Sequence, residues 1–160
     1  MSEKSTNAEI RVDVNYANDL ITDIFKAKSC NDNEARTIAQ RLSGSNLVGH
    51  DSHGIARVPR YVEWMERGWV FPNLKPEVVI DAGAMGCLDA KQGFGQVAGE
   101  YAVDDGITRA KKHGVSVVGL RNSGHLGRIG DWAERAADAG LISFHFVNVR
   151  GSLLVAPFGG

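Results

Sequence analysis

Cysteine is scarce in this chain. Cys30 and Cys87 are the only two in 160 residues, far apart and outside any CxxC pattern. That argues against a disulfide scaffold and a zinc knuckle, and points to reduced thiols in the cytosol. A surplus of one charge is missing too: 18 Lys and Arg stand against 19 Asp and Glu, a formal net charge of −1. Nothing suggests nucleic acid as a partner, and no polybasic block suggests a membrane surface. No uninterrupted apolar run is long enough to span a bilayer. The opening Met1 to Asn7 is polar and lacks the apolar core of a signal peptide. Internal repeats and low-complexity tracts are absent as well.

What remains is a chain with 43% hydrophobic residues, enough for a globular core. After a frayed or strand-forming lead-in to about Val12, Leu20, Ile21, Ile24 and Phe25 mark one face of a helix over Tyr16 to Ala27. Asn31-Asp32-Asn33-Glu34 supplies an N-cap and acidic first turn for a second helix, about Glu34 to Val48. Ala35, Ile38, Ala39, Leu42 and Leu47 are expected to turn inward on it. A third helix, roughly Pro59 to Arg67, has proline in its first turn and stops at Gly68.

The character then changes. Pro76 to Ile80 and Cys87 to Ala90 are extended segments about a Gly83-Ala84-Met85-Gly86 turn, a candidate hairpin. Gln96 to His113 is a long helix, with Val97, Tyr101, Ile107 and Ala110 on one side and Gly114 as its stop. Val115 to Leu120 is expected as a buried strand. A helix from about Ile129 to Ala139 stops at Gly140, and Leu141 to Val149 alternates like another strand. Residues 153 to 158 are apolar again, and an ending on Pro157-Phe158-Gly159-Gly160 reads as a chain interrupted mid-fold. Early helices followed by mixed strands and helices give an α/β (α+β mixed) class with a mixed sheet, rather than a doubly wound parallel one. The expected division is a helical region at 1–73 and an incomplete cofactor domain at 74–160.

Two stretches carry the chemistry. Gly49-His50-Asp51-Ser52-His53-Gly54-Ile55-Ala56-Arg57 and Asn122-Ser123-Gly124-His125-Leu126-Gly127 each set an imidazole among small polar residues and glycine, at the edge of a regular element. Read alone, His53 could cap a helix and Arg57 could be a solvated charge. Together they suit a carboxylate gripped by guanidinium, with an imidazole to move a proton. His125 falls at a strand–loop–helix junction, where backbone N–H groups attract anions. Gly124, Gly127 and Gly130 give Gly-x-x-Gly-x-x-Gly, which is not the dinucleotide fingerprint Gly-x-Gly-x-x-Gly, so a standard Rossmann site is unsupported. His145 reads as a core or interface histidine, and His113 as a helix C-terminal charge. Trp64 and Trp69 read as packing or interface aromatics. His50 and His53 are too few ligands for a metal site.

The run from Gly49 to Val62, Gly-His-Asp-Ser-His-Gly-Ile-Ala-Arg-Val-Pro-Arg-Tyr-Val, resembles the hallmark of the malate/L-lactate dehydrogenase type 2 (sulfolactate dehydrogenase-like) family. The Asn122 to Gly127 loop and the helix after it resemble that family's second motif, and the likeness covers essentially the whole chain. It implies a non-Rossmann fold with a largely antiparallel sheet in the cofactor domain. The implied activity is hydride transfer between NAD or NADP and a 2-hydroxy or 2-oxo acid, by a homodimer. Residue by residue, His125 matches the proton acceptor, expected to titrate near working pH. Ser52 and His53 match a polar relay pair that an aspartate of the later half completes. Arg57 matches the carboxylate anchor. His125, Leu126 and Gly127 fall in the cofactor loop, with His53 beside the nicotinamide. Val149 and Arg150 depart from the small polar residue expected after Asn148 and are left out of the site. Full members are considerably longer and carry further cofactor contacts, a lysine among them. The alternative expectation is a non-catalytic remnant, or a dimerising or ligand-binding module.

Overall fold

The computed structural model describes residues 11–149. Five helices and three strands follow in the order α1 (Val14–Ala27), α2 (Asp32–Leu47), α3 (Val58–Glu66), β1 (Glu77–Ala82), β2 (Met85–Asp89), α4 (Gly95–His113), β3 (Val117–Arg121) and α5 (Gly130–Asp138). Two single-turn 3-10 helices, Asp51–His53 and Ile55–Arg57, lie between α2 and α3.

The helix boundaries follow from local chemistry. The Asp13 carboxylate accepts from the N–H groups of Asn15 and Tyr16 at the start of α1, and the Asn31 side chain accepts from Glu34 N–H at the start of α2. Pro59 occupies the first turn of α3, where its missing N–H costs nothing. Gly114 ends α4 in the left-handed region at φ 81°.

α1, α2 and α3 enclose a core of Ile21, Phe25, Cys30, Ala35, Ile38, Ala39, Leu42 and Tyr61, which Val70 and Phe94 complete. Phe25 meets Phe94 edge-on at 5.6 Å. Asn73 secures the corner between α1 and α2: its Oδ1 accepts from Asn31 N–H at 2.7 Å and its own N–H donates to Glu34 at 2.7 Å. Both cysteines are free thiols.

The sheet is mixed, in the order β1-β2-β3, with β1 antiparallel and β3 parallel to β2. α4 is the crossover between the parallel pair and packs on both of its strands. Arg109 of α4 fastens the hairpin, its guanidinium bonding Asp105, Asp81 and the Gly83 and Met85 carbonyls.

Several expectations need correction. Leu47 is 70% exposed, because it ends α2 beyond the core that Leu42 enters. Tyr101 is exposed, whereas Val97, Ile107 and Ala110 of the same expected side of α4 are half-buried. The hairpin turn is tighter than expected, since Met85 and Gly86 already pair with Ala82 and Asp81. The strand expected over Val115 to Leu120 forms as β3, starting two residues later, and is not buried: among the described residues it pairs on one side only, and its residues alternate between exposed and half-buried. Leu141 to Val149 forms no strand, because no described neighbour pairs with it; His145 there is exposed, so it is not a core histidine, and its side chain bonds Ser143. Of the two expected packing or interface tryptophans, Trp64 packs against the core, whereas Trp69 is exposed under Arg67 and is no core aromatic. The expectations for the lead-in before residue 11 and for residues 153 to 158 lie outside the described residues.

Candidate active site

The two sequence motifs meet. His53 stacks on His125 with ring centroids 5.0 Å apart and planes inclined by 27°, although 72 positions separate them in sequence. His50 lies on the other side of His53, at 4.5 Å. Ser52 Oγ bonds His53 Nδ1 at 2.9 Å, and Arg57 Nε donates to the Ser52 carbonyl at 2.6 Å. All four expected chemical residues, Ser52, His53, Arg57 and His125, thus belong to one cluster.

Asn46, at the end of α2, holds the first motif in place. Its Oδ1 accepts from Ile55 N–H at 2.8 Å and its Nδ2 donates to Asp51 at 2.6 Å. Gly54 suits this clamp: a Cβ there would stand 2.1 Å from Asn46 Oδ1 and push the Asn46 side chain off its bonds.

The second motif is held from three sides. Gln92 N–H donates to the Asn122 carbonyl at 2.6 Å, and Gly124 N–H donates to the Gly93 carbonyl at 2.9 Å. Trp132 Nε1 of α5 donates to the Leu126 carbonyl at 3.1 Å. Gly95 lets α4 start directly against the loop: a Cβ there would come within 2.1 Å of the His125 carbonyl oxygen. Gly127 adopts φ 71°, and its N–H faces His125 Nδ1 at 3.2 Å.

His125 Nδ1 also lies 2.9 Å from the Tyr61 hydroxyl, which accepts from Gln96 Nε2 at 2.7 Å. Tyr61 and Gln96 are both fully buried. Neither was singled out from the sequence, although Tyr61 stands four positions after Arg57, one helical turn on, and that spacing was a usable signal. Gln96 carries no such signal, because only the docking of α4 brings it to Tyr61.

Electrostatics correct one expectation. Burial, then the positive charge of Arg57 and the neighbouring His53, lower His125 to a pKa of about 4, rather than near working pH. At neutral pH its ring is therefore uncharged. His53 is lowered as well, by burial, His50 and Arg57. Burial pushes Tyr61 up to about 12, so its hydroxyl keeps its proton.

An open cavity of about 450 Å³ adjoins the cluster, lined by Val48, His50, His53, Arg128, Ile129 and Gly130. It reaches His53 but not His125 or Arg57. Arg128 is occupied by Asp131 and Glu134. Apolar walls, an imidazole face and the glycine that starts α5 fit a flat nicotinamide in kind.

The Malate/L-lactate dehydrogenase family profile matches residues 12–160, and the chain belongs to that family. Hydroxycarboxylate dehydrogenase B of Escherichia coli K12 is 43% identical over 150 residues, covering 94% of this chain and 42% of that protein. Malate dehydrogenase from Pyrococcus horikoshii OT3 superposes with a TM-score of 0.79 at 32% identity, covering 88% of this chain and 41% of that structure. Sulfolactate dehydrogenase from Methanocaldococcus jannaschii gives 0.77 at 31% identity, with 81% and 38% covered. The chain thus spans about two fifths of the length of the relatives it matches.

Proposed function

We propose that this chain supplies the substrate-facing part of an NAD- or NADP-dependent dehydrogenase acting on a 2-hydroxy or 2-oxo acid. The observation that carries the reading is the uncharged His125 stacked on His53 beside Arg57. Arg57 anchors the substrate carboxylate through the nitrogens that its bond to Ser52 leaves over. His125 faces the reacting hydroxyl or carbonyl oxygen with Nε2, since Tyr61 and Gly127 engage Nδ1. An imidazole held neutral by burial and by a nearby cation is available as a proton acceptor at neutral pH. Ser52 and His53 extend the polar path away from it. His53, His125, Leu126 and Gly127 border the nicotinamide, which when bound accepts or gives the hydride.

The reading also takes residues 1–73 and 74–160 as the two sides of the site. It includes a homodimer, as the family resemblance implies, in the cytosol, as the two isolated cysteines suggest, with neither nucleic acid nor membrane as a partner. Among the described residues, no helix is long and apolar enough to cross a membrane.

The test is turnover by a polypeptide carrying this chain together with a C-terminal portion of the length its relatives have. The panel is 2-hydroxy acids, including lactate and malate, with NAD and with NADP. His125→Ala is expected to lower kcat by about 10²–10⁴-fold, the usual worth of a positioned base. Arg57→Ala is expected to act mainly on KM for the acid. Undiminished turnover in His125→Ala would overturn the assignment. The 160-residue chain alone is expected to bind cofactor weakly and to turn over negligibly.

A further inference from the structure

We propose that Gln96 and Tyr61 are positioning residues that set the tautomer of His125, holding Nδ1 as an acceptor so that Nε2 carries the ring proton. This rests on the dehydrogenase reading for its consequence, but not for its geometry.

A backbone N–H can only donate, so the Gly127 N–H at 3.2 Å requires a lone pair on Nδ1. With Nδ1 unprotonated, the Tyr61 hydroxyl 2.9 Å away must donate to it. Having given its proton to His125, Tyr61 needs a donor of its own, and Gln96 Nε2 is that donor at 2.7 Å. The hydrogen bonds therefore all run one way, from Gln96 to Tyr61 to His125. In a neutral ring this leaves the proton on Nε2, the side free for substrate. An Nε2–H is the group that the carbonyl oxygen of a 2-oxo acid needs.

Gln96 is suited to reversal as well. Its Oε1 is buried and has no partner. Half a turn of the amide would place Oε1 against Tyr61, which would then donate to Gln96 and accept from an Nδ1–H of His125. That turns the 3.2 Å Gly127 contact into two N–H groups facing each other and puts the Gln96 Nε2 where Oε1 has no partner, so the reversed array is the less favoured of the two at rest. The reversed array offers a bare Nε2, the state that takes a hydroxyl proton. A residue with a donor and an acceptor on one rotor can serve both directions of an alcohol–carbonyl reaction. Leucine or glutamate at this position cannot.

The groups facing His125 are His53 and Arg57 from the two 3-10 turns, Tyr61 and Trp64 from α3, and Gln96 through Tyr61 from α4. Arg57 and His53 disfavour the imidazolium whatever stands at 61 or 96. A change on substituting Tyr61 or Gln96 therefore reports the array.

The experiment is ¹⁵N NMR of histidine-labelled 160-residue chain, in which the ring-nitrogen shifts tell a protonated from an unprotonated nitrogen. The expected result for His125 is an Nε2–H tautomer with a titration midpoint near 4. Tyr61→Phe removes the donor to Nδ1 and should raise that midpoint by about one pH unit. Gln96→Glu accepts from Tyr61, reverses the array and should move the proton to Nδ1. The amide spectrum reports whether each variant keeps its fold. An Nδ1–H tautomer in the unsubstituted chain overturns the proposal without recourse to any variant. So do folded variants whose tautomer and midpoint both stay unchanged. If the tautomer is as stated but the longer polypeptide turns over no hydroxy acid, the positioning array stands and the dehydrogenase reading falls.

Discussion

The helical layer and the sheet treat their apolar residues in opposite ways. Around α1, α2 and α3, Phe25, Ile38 and Leu42 have no exposure, and polar groups close to them, such as Glu34 and Ser45, are buried and bonded. In and after the sheet, Ile80, Met85 and Val117 are more than half exposed, and Ile142, Phe144 and Phe146 stand at 92%, 83% and 95%. Both regions carry large apolar side chains; the difference lies in how many neighbours each element finds among the described residues. The site lies on the boundary. His53 and Arg57 follow α2, whereas His125 hangs from the end of β3 and is brought in by α4. A stable helical layer thus fixes one half of the cluster, and the other half depends on the docking of the sheet.

The largest effect should come from the helical layer. Phe25→Ala removes a side chain of zero exposure that touches the rings of Tyr61 and Phe94. Large-to-small changes of this kind cost about 3–5 kcal/mol, through lost burial and the cavity left behind. Chemical denaturation of the chain measures it. A cost below about 1 kcal/mol would mean that this layer is no better packed than the sheet, and the contrast would disappear.

The contrast also explains what the sequence could convey. Periodicity places each described α-helix to within a few residues, because amphipathic spacing and end signals such as Asn31, Pro59 and Gly114 act locally. It located strand-forming residues in 141–149 too, but a strand exists only when another strand pairs with it, and no local rule supplies the partner. For the same reason Val115 and Val117, which read as buried, are exposed. In the site, Ser52, His53, Arg57 and His125 were legible from residue type and motif. The Tyr61–Gln96 array was not, since it joins α3 to α4 across 35 positions. The lowered pKa of His125 was equally hidden, because it depends on burial and on Arg57 arriving from another element.

A smaller effect should appear at the seam itself. Gly95→Ala introduces a methyl group 2.1 Å from the His125 carbonyl oxygen, a backbone atom that cannot swing aside as a side chain can. The start of α4 and the His125 loop must therefore separate. Overpacking of this sort costs about 1–3 kcal/mol. The more telling readout is local: the Tyr61–His125 and His53–His125 contacts should loosen while the α1–α3 core stays intact. Amide hydrogen exchange separates the two, with faster exchange expected around residues 122–127 and unchanged protection in α1 and α2. Uniform loss of protection would instead show that the two regions unfold as one unit, and would replace the picture of a fixed half and a docked half.

The smallest effect is expected at the far end of the contrast. Phe144→Ser exchanges a large aromatic for a small polar residue, a change of the same chemical kind as that at Phe25. Phe144 is 83% exposed, and its segment pairs with no described strand. Little apolar area leaves water there on folding, so the substitution should shift the stability of this chain by no more than about 0.5 kcal/mol. The same denaturation measurement decides it. Solubility should improve, since serine removes part of an exposed apolar run made of Ile142, Phe144 and Phe146. A loss of stability approaching that of Phe25→Ala would mean that this segment is covered in solution, by a second copy or by its own chain. The division into a self-sufficient layer and an unpartnered one would then fail.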